Sequence, residues 1–363
     1  DVESRGLGDV YKRQLQNTMK IKHIHINEYK VFKDFDINFD FEDISQNLIV
    51  LTGENGNGKT ILLKDILSNT ITTNKPQCII TMQEEENEPD TFIFPMPYNN
   101  EKYTTIFSKI HYHAMDDNSN IYKFQEDVLS CINKSTHQKE LTNNETYRKI
   151  QHLINNVFQE FDLQLRFKEL SQDNKLIFTN TKEAELDIED LSRGEKQILS
   201  IIFALFIKDT KEKVILIDDI ENSLQPSHQL QILSLLRNCS KLNNSQIIVS
   251  TQSPLVISSA HKEEIRLLVR DNKGFVKTKI CDNSPYGWTI NKVLSEIQKI
   301  KYLRVPEVEN RLTELKSLMW ENKQESQEFK QKLVEMENIL GFSDPDLILI
   351  RMEISCKKKK CIE

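Results

Sequence analysis

One eight-residue segment constrains this chain more than any other, because it has the pattern G-x-x-x-x-G-K-[ST] of a phosphate-binding loop. The segment comprises Gly53, Glu54, Asn55, Gly56, Asn57, Gly58, Lys59 and Thr60. An apolar run at 47–52 precedes it and an amphipathic pattern at 61–67 follows it, so its context is strand, loop and helix. We therefore predict a nucleotide-phosphate site in an α/β fold.

The residue types of this loop suit the binding of an anion. Glycines allow backbone N–H groups to curl around a phosphate, and the start of a helix adds a favourable dipole. Lys59 is expected to reach the β- and γ-phosphates of ATP, and the Thr60 hydroxyl is expected to bind Mg²⁺. The alternative, a glycine-rich turn that only caps a helix, is disfavoured because the bare pattern arises by chance in roughly one in a hundred chains of this length.

Hydrophobic patterning predicts the rest of the fold class. Residues 20–41 alternate apolar and polar positions, which is typical of antiparallel strands with one solvated face. The runs at 214–217 and 246–250 are apolar and fit parallel strands covered by helices on both faces. Helical patterns occur at 61–67, 198–206 and 230–236. The predicted fold is an α/β P-loop NTPase with an antiparallel β-subdomain, a helical insertion and a C-terminal helical appendage.

The same patterns predict the domain organisation. Residues 1–18 precede the first methionine and resemble translated adapter sequence, so we interpret them as a non-native extension; a genuine arm is the alternative. Residues 19–70 and 162–285 are expected to form one split nucleotide-binding domain, with hairpins at 163–180 and around 271–274. Residues 71–161, which include an acidic stretch and helical sequence from about 121 to 160, are interpreted as an insertion. Residues 286–363 are expected to form a C-terminal helical region.

Two further motifs accompany the phosphate loop. The segment 191–195 reads Leu-Ser-Arg-Gly-Glu at the start of a predicted helix, and Asp218 and Asp219 end a predicted strand. Together the motifs make the chain resemble ABC-type ATPases of the SMC, RecF and OLD group, in which the signature reads L-S-x-G-E and an aspartate ending a strand precedes a catalytic carboxylate. The resemblance covers roughly residues 20–70 and 162–285. The tail is more weakly similar to that of bacterial members without long coiled coils.

The resemblance implies an ATP-dependent dimer. Ser192, Gly194 and Glu195 of one protomer would bind the γ-phosphate presented by another, so that ATP closes a head-to-tail homodimer. Asp218 would hold Mg²⁺ through its water shell. Some members of the group occur in antiphage defence and act with a nuclease, so the resemblance also implies a nuclease or other DNA-acting partner, or DNA itself.

Several positions depart from the pattern of that group. Asp219 stands where a catalytic glutamate is usual, and its carboxylate is one methylene shorter. We hypothesise that Asp219 positions the attacking water, with Glu221 as the alternative, and we expect slow hydrolysis. Gln252 replaces the usual switch histidine, and its amide can donate a hydrogen bond to the γ-phosphate but carries no charge. Gln83 is a candidate for the glutamine of the usual Q-loop, and a solvated loop residue is the alternative.

Composition restricts the setting of these motifs. The formal net charge of −7 excludes a uniformly basic nucleic-acid coat, so any contact with DNA must be local. No apolar run is long enough to cross a bilayer, so no membrane association is expected. The six cysteines form no C-x-x-C pair, which indicates a reducing cytoplasm as the expected location.

Two weaker candidate sites remain. One is a candidate metal site, because its residues have a spacing that resembles that of metal ligands: His111, His113, Asp116 and Asp117. Alternate positions on a strand would produce the same spacing. The other is a basic face for DNA phosphates, for which solvated helix faces and a frayed terminus are the alternative: Lys299, Lys301, Arg304 and Lys357–Lys360.

Three functions fit these observations to different degrees. The leading hypothesis is an ATP-binding and ATP-hydrolysing engine that dimerises on ATP and drives or gates a DNA-acting partner, in antiphage defence or DNA repair. The second is a nucleotide-gated switch or scaffold with little hydrolysis, which Asp219 and Gln252 favour. The third is a transporter nucleotide-binding subunit, which is disfavoured by Glu195, where transporters usually carry glutamine, and by the long insertion.

Overall fold

The structure of the chain is a computed structural model. It describes residues 19–68, 77–84, 88–94, 105, 107–114, 143–171, 173, 175–202, 205 and 211–360. The expected extension 1–18 and the metal-ligand candidates Asp116 and Asp117 therefore lie outside the described residues. Contacts within the chain define two compact units, one that ends at Val293 and one that begins at Leu294.

The first unit contains the strands. In chain order they are β1 (Met19–Tyr29), β2 (Phe32–Asn38), β3 (Asp40–Phe41), β4 (Ile44–Ser45), β5 (Leu48–Gly53), β6 (Cys78–Glu84), β7 (Asp90–Phe94), β8 (Ile110–Ala114), β9 (Leu165–Leu170), β10 (Leu176–Asn180), β11 (Glu185–Leu186), β12 (Val214–Asp218), β13 (Gln246–Thr251), β14 (Ile265–Arg270) and β15 (Val276–Lys279). Within the described residues, the large sheet has the order β7-β6-β1-β2-β15-β14-β5-β13-β12-β8. A smaller sheet has the order β11-β10-β9, and β3 pairs with β4.

The part of the large sheet around the phosphate loop is parallel. β13 lies between β5 and β12, with β14 on the other side of β5 and β8 on the other side of β12. All of these neighbours pair in parallel. Every residue of β12 and β13 is buried, which explains their largely apolar sequences. The predicted α/β fold class is therefore confirmed.

The rest of the large sheet is mostly antiparallel, with one parallel pairing between β15 and β2. β1 pairs with β2 and β6, and β14 pairs with β15. In β2, Phe32, Phe35 and Ile37 are buried while the residues between them are exposed, as the alternating pattern predicts. The rings of Phe32 and Phe35 pack with their centroids 4.5 Å apart. This buried face joins one core with β5 and the helix that follows the phosphate loop.

Residues 71–161 contribute more to the large sheet than the sequence indicates. β6, β7 and β8 all come from this segment, and β8 lies beside β12 with Ala114 opposite Asp218. Cys78, Ile80 and Met82 of β6 are buried in the same core as β1. The interpretation of this segment as an insertion rests on its acidic stretch and helical sequence, which are local features that do not report strand pairing. The sheet is thus not assembled from residues 19–70 and 162–285 alone.

The helices of the first unit begin and end where local sequence favours it. They are a π-helix (Ile61–Leu67), α1 (Asn143–Glu160), α2 (Arg193–Ile202), α3 (Pro226–Asn243), α4 (Pro254–Ile257) and α5 (Ile290–Glu296), which contains the boundary between the units. Pro226 is the first residue of α3, where its fixed φ suits a helix start and no N–H is needed. Asn244 ends α3 in a left-handed conformation, with φ of 47°, and its N–H bonds to the Ser240 carbonyl.

Helix α1 packs on the smaller sheet, and one of its side chains forms two hydrogen bonds with the backbone of β9. Asn155 accepts a hydrogen bond from the Phe167 N–H at 2.7 Å and donates one to the Phe167 carbonyl at 3.2 Å. β9 and β10 form the hairpin that the sequence predicts at 163–180, and β14 and β15 form the one predicted around 271–274.

The second unit is a helical bundle, in agreement with the periodicity of its sequence. It contains α6 (Pro306–Trp320), α7 (Gln327–Leu340) and α8 (Pro345–Lys360). Leu312, Leu315, Phe329, Met336 and Ile350 are among the buried residues of its own core. Among the described residues, every helix is too short or too polar to cross a bilayer.

Candidate functional site

Three neighbouring parallel strands end at one edge of the sheet and carry the predicted site residues. β5 ends at Gly53, where the phosphate loop begins, and β12 ends at Asp218. β13 ends at Thr251, directly before Gln252, and Thr251 is paired with Thr52 of β5. The sheet therefore brings the phosphate loop, the acidic residues and Gln252 to the carboxyl ends of its strands, where α/β sheets bind ligands.

Two loop positions require glycine for geometric reasons. Gly53 has φ of 147°, and a Cβ placed there would lie 2.4 Å from the Leu268 carbonyl oxygen. Gly58 has φ of 83°, and a Cβ there would lie 2.5 Å from Cζ of Phe32. Both values are in the region that side chains rarely adopt, and both distances are shorter than a van der Waals contact. The loop backbone is thus pressed against β14 at one end and against β2 at the other.

Lys59 is folded onto the loop that contains it. Its Nζ donates hydrogen bonds to the carbonyls of Gly53 at 2.8 Å and Glu54 at 3.2 Å. Burial lowers the pKa of Lys59, while nearby negative charges, chiefly that of Asp219, raise it. A partly desolvated ammonium group attracts an anion more strongly than one in bulk water, so this position suits a phosphate-binding cation.

Polar contacts hold the loop from both sides. The buried Asn57 donates from Nδ2 to the Leu268 carbonyl at 2.8 Å, and Arg270 donates from Nη2 to the Gly56 carbonyl at 2.9 Å. On the opposite side, Gln252 donates from Nε2 to Oδ1 of Asn55. The other predicted loop residues, Glu54 and Thr60, have exposed side chains. The predicted switch residue is therefore in direct contact with the phosphate loop.

Asp218 is a buried carboxylate held by two hydroxyl groups. Ser250 donates from Oγ to Oδ1, and Tyr112 donates from its hydroxyl to Oδ2 at 3.2 Å. Burial, followed by the negative charge of Asp218, raises the pKa of the Tyr112 phenol. Among the described residues, no lysine or arginine lies within ion-pair distance of Asp218, although its charge is one of those that raise the pKa of nearby Lys59.

The two candidate catalytic carboxylates have different surroundings. Asp219 has a left-handed backbone, with φ of 51°, and its N–H donates to Ser250 Oγ at 2.8 Å. Glu221 accepts a hydrogen bond at Oε1 from the backbone N–H of Gln252 at 2.7 Å. The other oxygen of Glu221, Oε2, is buried and has no hydrogen-bond donor among the described residues. Glu221 thus ties the turn after β12 to the end of β13.

The signature segment begins helix α2 with a reciprocal cap. The Ser192 N–H donates to Oε2 of Glu195 at 2.7 Å, and the Glu195 N–H donates to Oγ of Ser192 at 3.3 Å, which is a capping box. A Cβ at Gly194 would lie 3.1 Å from the Ser223 carbonyl, so the start of α2 packs closely on the turn that follows the acidic residues. Ser192 and Arg193 are exposed.

Gln83 lies at the wrong end of the sheet for a Q-loop residue. It is on β6, paired with Lys20 near the start of β1. The turn after the other end of β1 leads to Phe32, which contacts Gly58 of the phosphate loop. Because a strand rises about 3.3 Å per residue, the length of β1 separates Gln83 from that loop by roughly 30 Å.

His111 and His113 both lie on β8. Their partners in β12 are Ile215 and Ile217, and Tyr112 between them is the residue that reaches Asp218. No motif in the sequence identifies Tyr112, since its role depends on the pairing of β8 with β12. Ser250 was missed for the same reason, although its place two residues before Gln252 was a usable signal.

The candidate basic face is in the second unit. Arg304 forms ion pairs of 2.9 Å with Asp344 and Asp346, so its charge is balanced within that unit. Lys357–Lys360 end α8, and their side chains lie outside the described residues. Arg304 is therefore a structural ion-pair residue, which disfavours the candidate DNA-binding face at this position.

Comparison with protein families gives one match within the first unit. Residues 82–258 match the family described as AAA domain, putative AbiEii toxin, Type IV TA system. The matched range begins after the phosphate loop. It includes the signature segment, Asp218 and Gln252.

Two curated relatives are similar over part of their length. The Septu protein PtuA of Bacillus thuringiensis is 28% identical over 221 residues, which are 56% of this chain and 54% of that protein. The Retron Vc95 probable ATPase of Vibrio cholerae serotype O1 biovar El Tor is 26% identical over 187 residues, which are 47% of this chain and 36% of that protein. The chain therefore spans about half, or less, of the length of these relatives.

A solved structure shows the same fold. The Smc head bound to the C-winged helix domain of ScpA aligns with a TM-score of 0.51 and 17% identity, over 72% of this chain and 97% of that chain. A parallel sheet that carries a phosphate loop and an adjacent acidic strand end defines a P-loop nucleoside triphosphatase. In its fold and in the family that it matches, the chain is similar to ABC-like P-loop ATPases.

Proposed function

We propose that this chain binds and hydrolyses ATP at the strand edge formed by β5, β13 and β12. The observation that carries the proposal is the meeting, at this edge, of a glycine-dependent phosphate loop, the Lys59 ammonium and the buried carboxylate of Asp218. Backbone N–H groups of the loop bind the phosphates, and Lys59 exchanges its carbonyl contacts for β- and γ-phosphate oxygens.

The residues at this edge fit a magnesium ion. Asp218 is buried and negatively charged, and its two oxygens accept hydrogen bonds only from neutral hydroxyl groups among the described residues. Oxygen groups of this kind suit Mg²⁺, which Asp218 would hold through its water shell, and the Thr60 hydroxyl at the end of the phosphate loop would be a direct ligand. When bound, the ion neutralises charge on the phosphates.

Asp219 is the residue that we assign to the attacking water. Its left-handed backbone is tied to Ser250, so the direction of its side chain is restrained close to Asp218. Glu221 is engaged with the Gln252 N–H and so serves better to hold Gln252 in place. Gln252 in turn lies against Asn55, from which its amide can pass to a γ-phosphate oxygen. The short Asp219 side chain is the reason to expect slow turnover.

Dimerisation on ATP is the second part of the proposal. The start of α2 is capped and carries exposed Ser192 and Arg193, so a preformed helix terminus is available on the surface for a phosphate of another protomer. The likeness to an Smc head supports the fold that such a dimer needs. Gly194 lets this terminus pack on the turn after Asp219, which links the signature segment to the site of its own protomer.

The proposed biological setting is a defence or repair system with a DNA-acting partner. Similarity to a Septu protein and to a retron ATPase supports antiphage defence. The ATP-dependent dimer would drive or gate a nuclease or another DNA-acting protein, and the cytoplasm is the location that we propose.

Mixing two inactive variants tests whether the signature acts in trans. Lys59→Ala removes the phosphate-loop cation, and Ser192→Arg obstructs the signature. A mixed dimer then retains one composite site, with the native loop of one protomer and the native signature of the other, so mixing should restore part of the phosphate release. Lys64→Ala, a change at an exposed lysine on the following helix, is the matched control and should leave activity unchanged. No recovery on mixing would contradict the trans arrangement, and native phosphate release no faster than that of Lys59→Ala would contradict ATP hydrolysis.

A nucleotide-gated switch with little hydrolysis is the second candidate function. The contacts of Gln252 with Asn55 and of Glu221 with the Gln252 N–H favour it, because both side chains are engaged by the protein itself. Phosphate release, measured on a dimer that light scattering identifies, separates the two functions. A switch predicts an ATP-dependent dimer whose phosphate release equals that of Lys59→Ala, whereas the leading function predicts a dimer with faster release.

A further inference from the structure

The Asp218 carboxylate accepts hydrogen bonds from side chains of the two neighbouring strands. β12, which ends at Asp218, lies between β8 and β13. Tyr112 of β8 donates to one carboxylate oxygen at 3.2 Å, and Ser250 of β13 donates to the other. The carboxylate therefore has one hydroxyl donor on each side, and each donor belongs to a different strand.

Strand register explains how the two hydroxyl groups reach the same carboxylate. Ile217 is paired with Val249, so Ser250 lies level with Asp218 on the adjacent strand. On the other side Asp218 is level with Ala114, so Tyr112 lies two residues earlier. Two residues of strand span about 6.6 Å, a distance that a tyrosine side chain covers and a serine does not.

The chemistry of the two donors matters as much as their positions. The torsion of a carboxylate about its last bond is broad and easily rotated, and two hydrogen bonds on opposite oxygens remove that freedom. Hydroxyl groups are neutral, so they orient Asp218 without cancelling the charge that a divalent cation needs. A lysine or arginine in either place would hold the carboxylate equally well but would neutralise it.

We propose that Tyr112 and Ser250 are positioning residues that orient the Asp218 carboxylate toward the magnesium ion of a bound Mg²⁺–ATP complex. The inference rests on the proposed function. It also assigns a task to β8, a strand from the segment that sequence patterning interprets as an insertion.

Ser250 has an additional part in this arrangement. Its single hydroxyl hydrogen is directed to Asp218, while its oxygen accepts the N–H of Asp219 at 2.8 Å. One side chain thus connects the carboxylate for the ion with the backbone of the residue assigned to the water. Tyr112 has no such second contact among the hydrogen bonds described here, so Tyr112→Phe isolates the effect on the ion.

The test compares ATP affinity with and without magnesium. Isothermal titration of ATP is carried out in Mg²⁺ and in EDTA for the native chain, Tyr112→Phe and Ser250→Ala. Loss of one hydrogen bond to a charged group should weaken Mg²⁺–ATP binding by roughly tenfold or more in each variant, while the affinity in EDTA changes by less than about twofold. The matched control is Tyr147→Phe, which removes a tyrosine hydroxyl that donates to the Lys168 carbonyl far along the chain, and it should change neither affinity.

The outcomes separate this inference from the function on which it rests. If the native chain binds no ATP in either buffer, the proposed function is wrong and this inference falls with it. If the native chain binds Mg²⁺–ATP more tightly than ATP in EDTA but Tyr112→Phe retains the full difference, only the positioning role is refuted. Equal weakening in both buffers would also refute it, since a general disturbance of the site affects both. Thermal unfolding of each variant identifies any that fail to fold. Tyr112→Phe keeps the partly buried ring, so it decides the matter if Ser250→Ala does not fold.

Discussion

Replacement of Gly58 by alanine should damage both the stability of the first unit and its binding of ATP. The new methyl group would lie 2.5 Å from Cζ of Phe32 and 2.9 Å from Cγ2 of Val31. Phe32 is fully buried and packs on the Phe35 ring, so it has no free direction in which to move. The clash must therefore be relieved by displacement of the phosphate loop, of β2, or of both.

The size of the effect follows from comparison with Gly274→Ala. Gly274 has φ of 85°, close to the 83° of Gly58, but a Cβ there meets nothing within 4 Å. Both substitutions pay the strain of a left-handed alanine, about 1–2 kcal/mol. Only Gly58→Ala adds overpacking, worth about 1–3 kcal/mol. The free energy of unfolding should thus fall by about 1–3 kcal/mol more for Gly58→Ala than for Gly274→Ala.

Urea unfolding measures this difference, and calorimetric titration measures ATP binding in the folded variants. Gly58→Ala should lose ATP affinity because its loop has moved, whereas Gly274→Ala should retain native affinity. Equal destabilisation by the two substitutions would show that the contact between the loop and Phe32 is not tight. Native ATP affinity in Gly58→Ala would refute the argument that this contact shapes the phosphate loop.

Three further predictions concern contacts elsewhere in the first unit. Glu195→Ala should destabilise the chain by about 0.5–2 kcal/mol through loss of the capping box, and Glu195→Gln should not, so equal melting temperatures for the two would contradict it. Arg237 forms a bidentate ion pair with the buried Glu264, with both N···O distances 2.7 Å. Arg237→Ala should therefore lower the free energy of unfolding, measured by urea titration, by about 3 kcal/mol. A loss as small as that caused by substitution of an exposed residue would refute this. Burial lowers the pKa of His228 in the folded chain, so below the pKa of the unfolded state the unfolded chain binds more protons and the free energy of unfolding falls as pH falls. The His228→Phe variant should therefore lose less stability than the native chain between about pH 7 and pH 5. Parallel plots of stability against pH for the two chains would contradict this.

The elements that sequence patterning predicts correctly are those whose signal is local. The alternation in β2, the apolar run of β12 and the start of α3 at Pro226 each depend on a few neighbouring residues. The phosphate loop is recognisable for the same reason, since its glycines and Lys59 stand at fixed spacing in one short segment. Local sequence therefore decides where strands, turns and helix starts occur.

The candidate site can be predicted only in part from local sequence. Asp218 and Gln252 could be identified because each follows a recognisable strand. Their contacts could not, because the bond from Gln252 to Asn55 joins residues that lie 197 positions apart in the chain. Likewise, Gln83 resembled a plausible site residue until the register of β6 placed it at the far end of β1.

For this protein, the amino-acid sequence alone was sufficient to predict a P-loop nucleotide site, an α/β sheet and a helical C-terminal region. The reason is that hydrophobic periodicity and motif spacing are properties of short segments of the sequence. Tertiary structure alone decided that β8 lies beside β12, that Tyr112 and Ser250 hold Asp218 from both sides, and that Phe32 limits the phosphate loop at Gly58. Strand pairing joins residues that are distant in the chain, and the free energy that selects it comes from burial over the whole sheet rather than from any one segment.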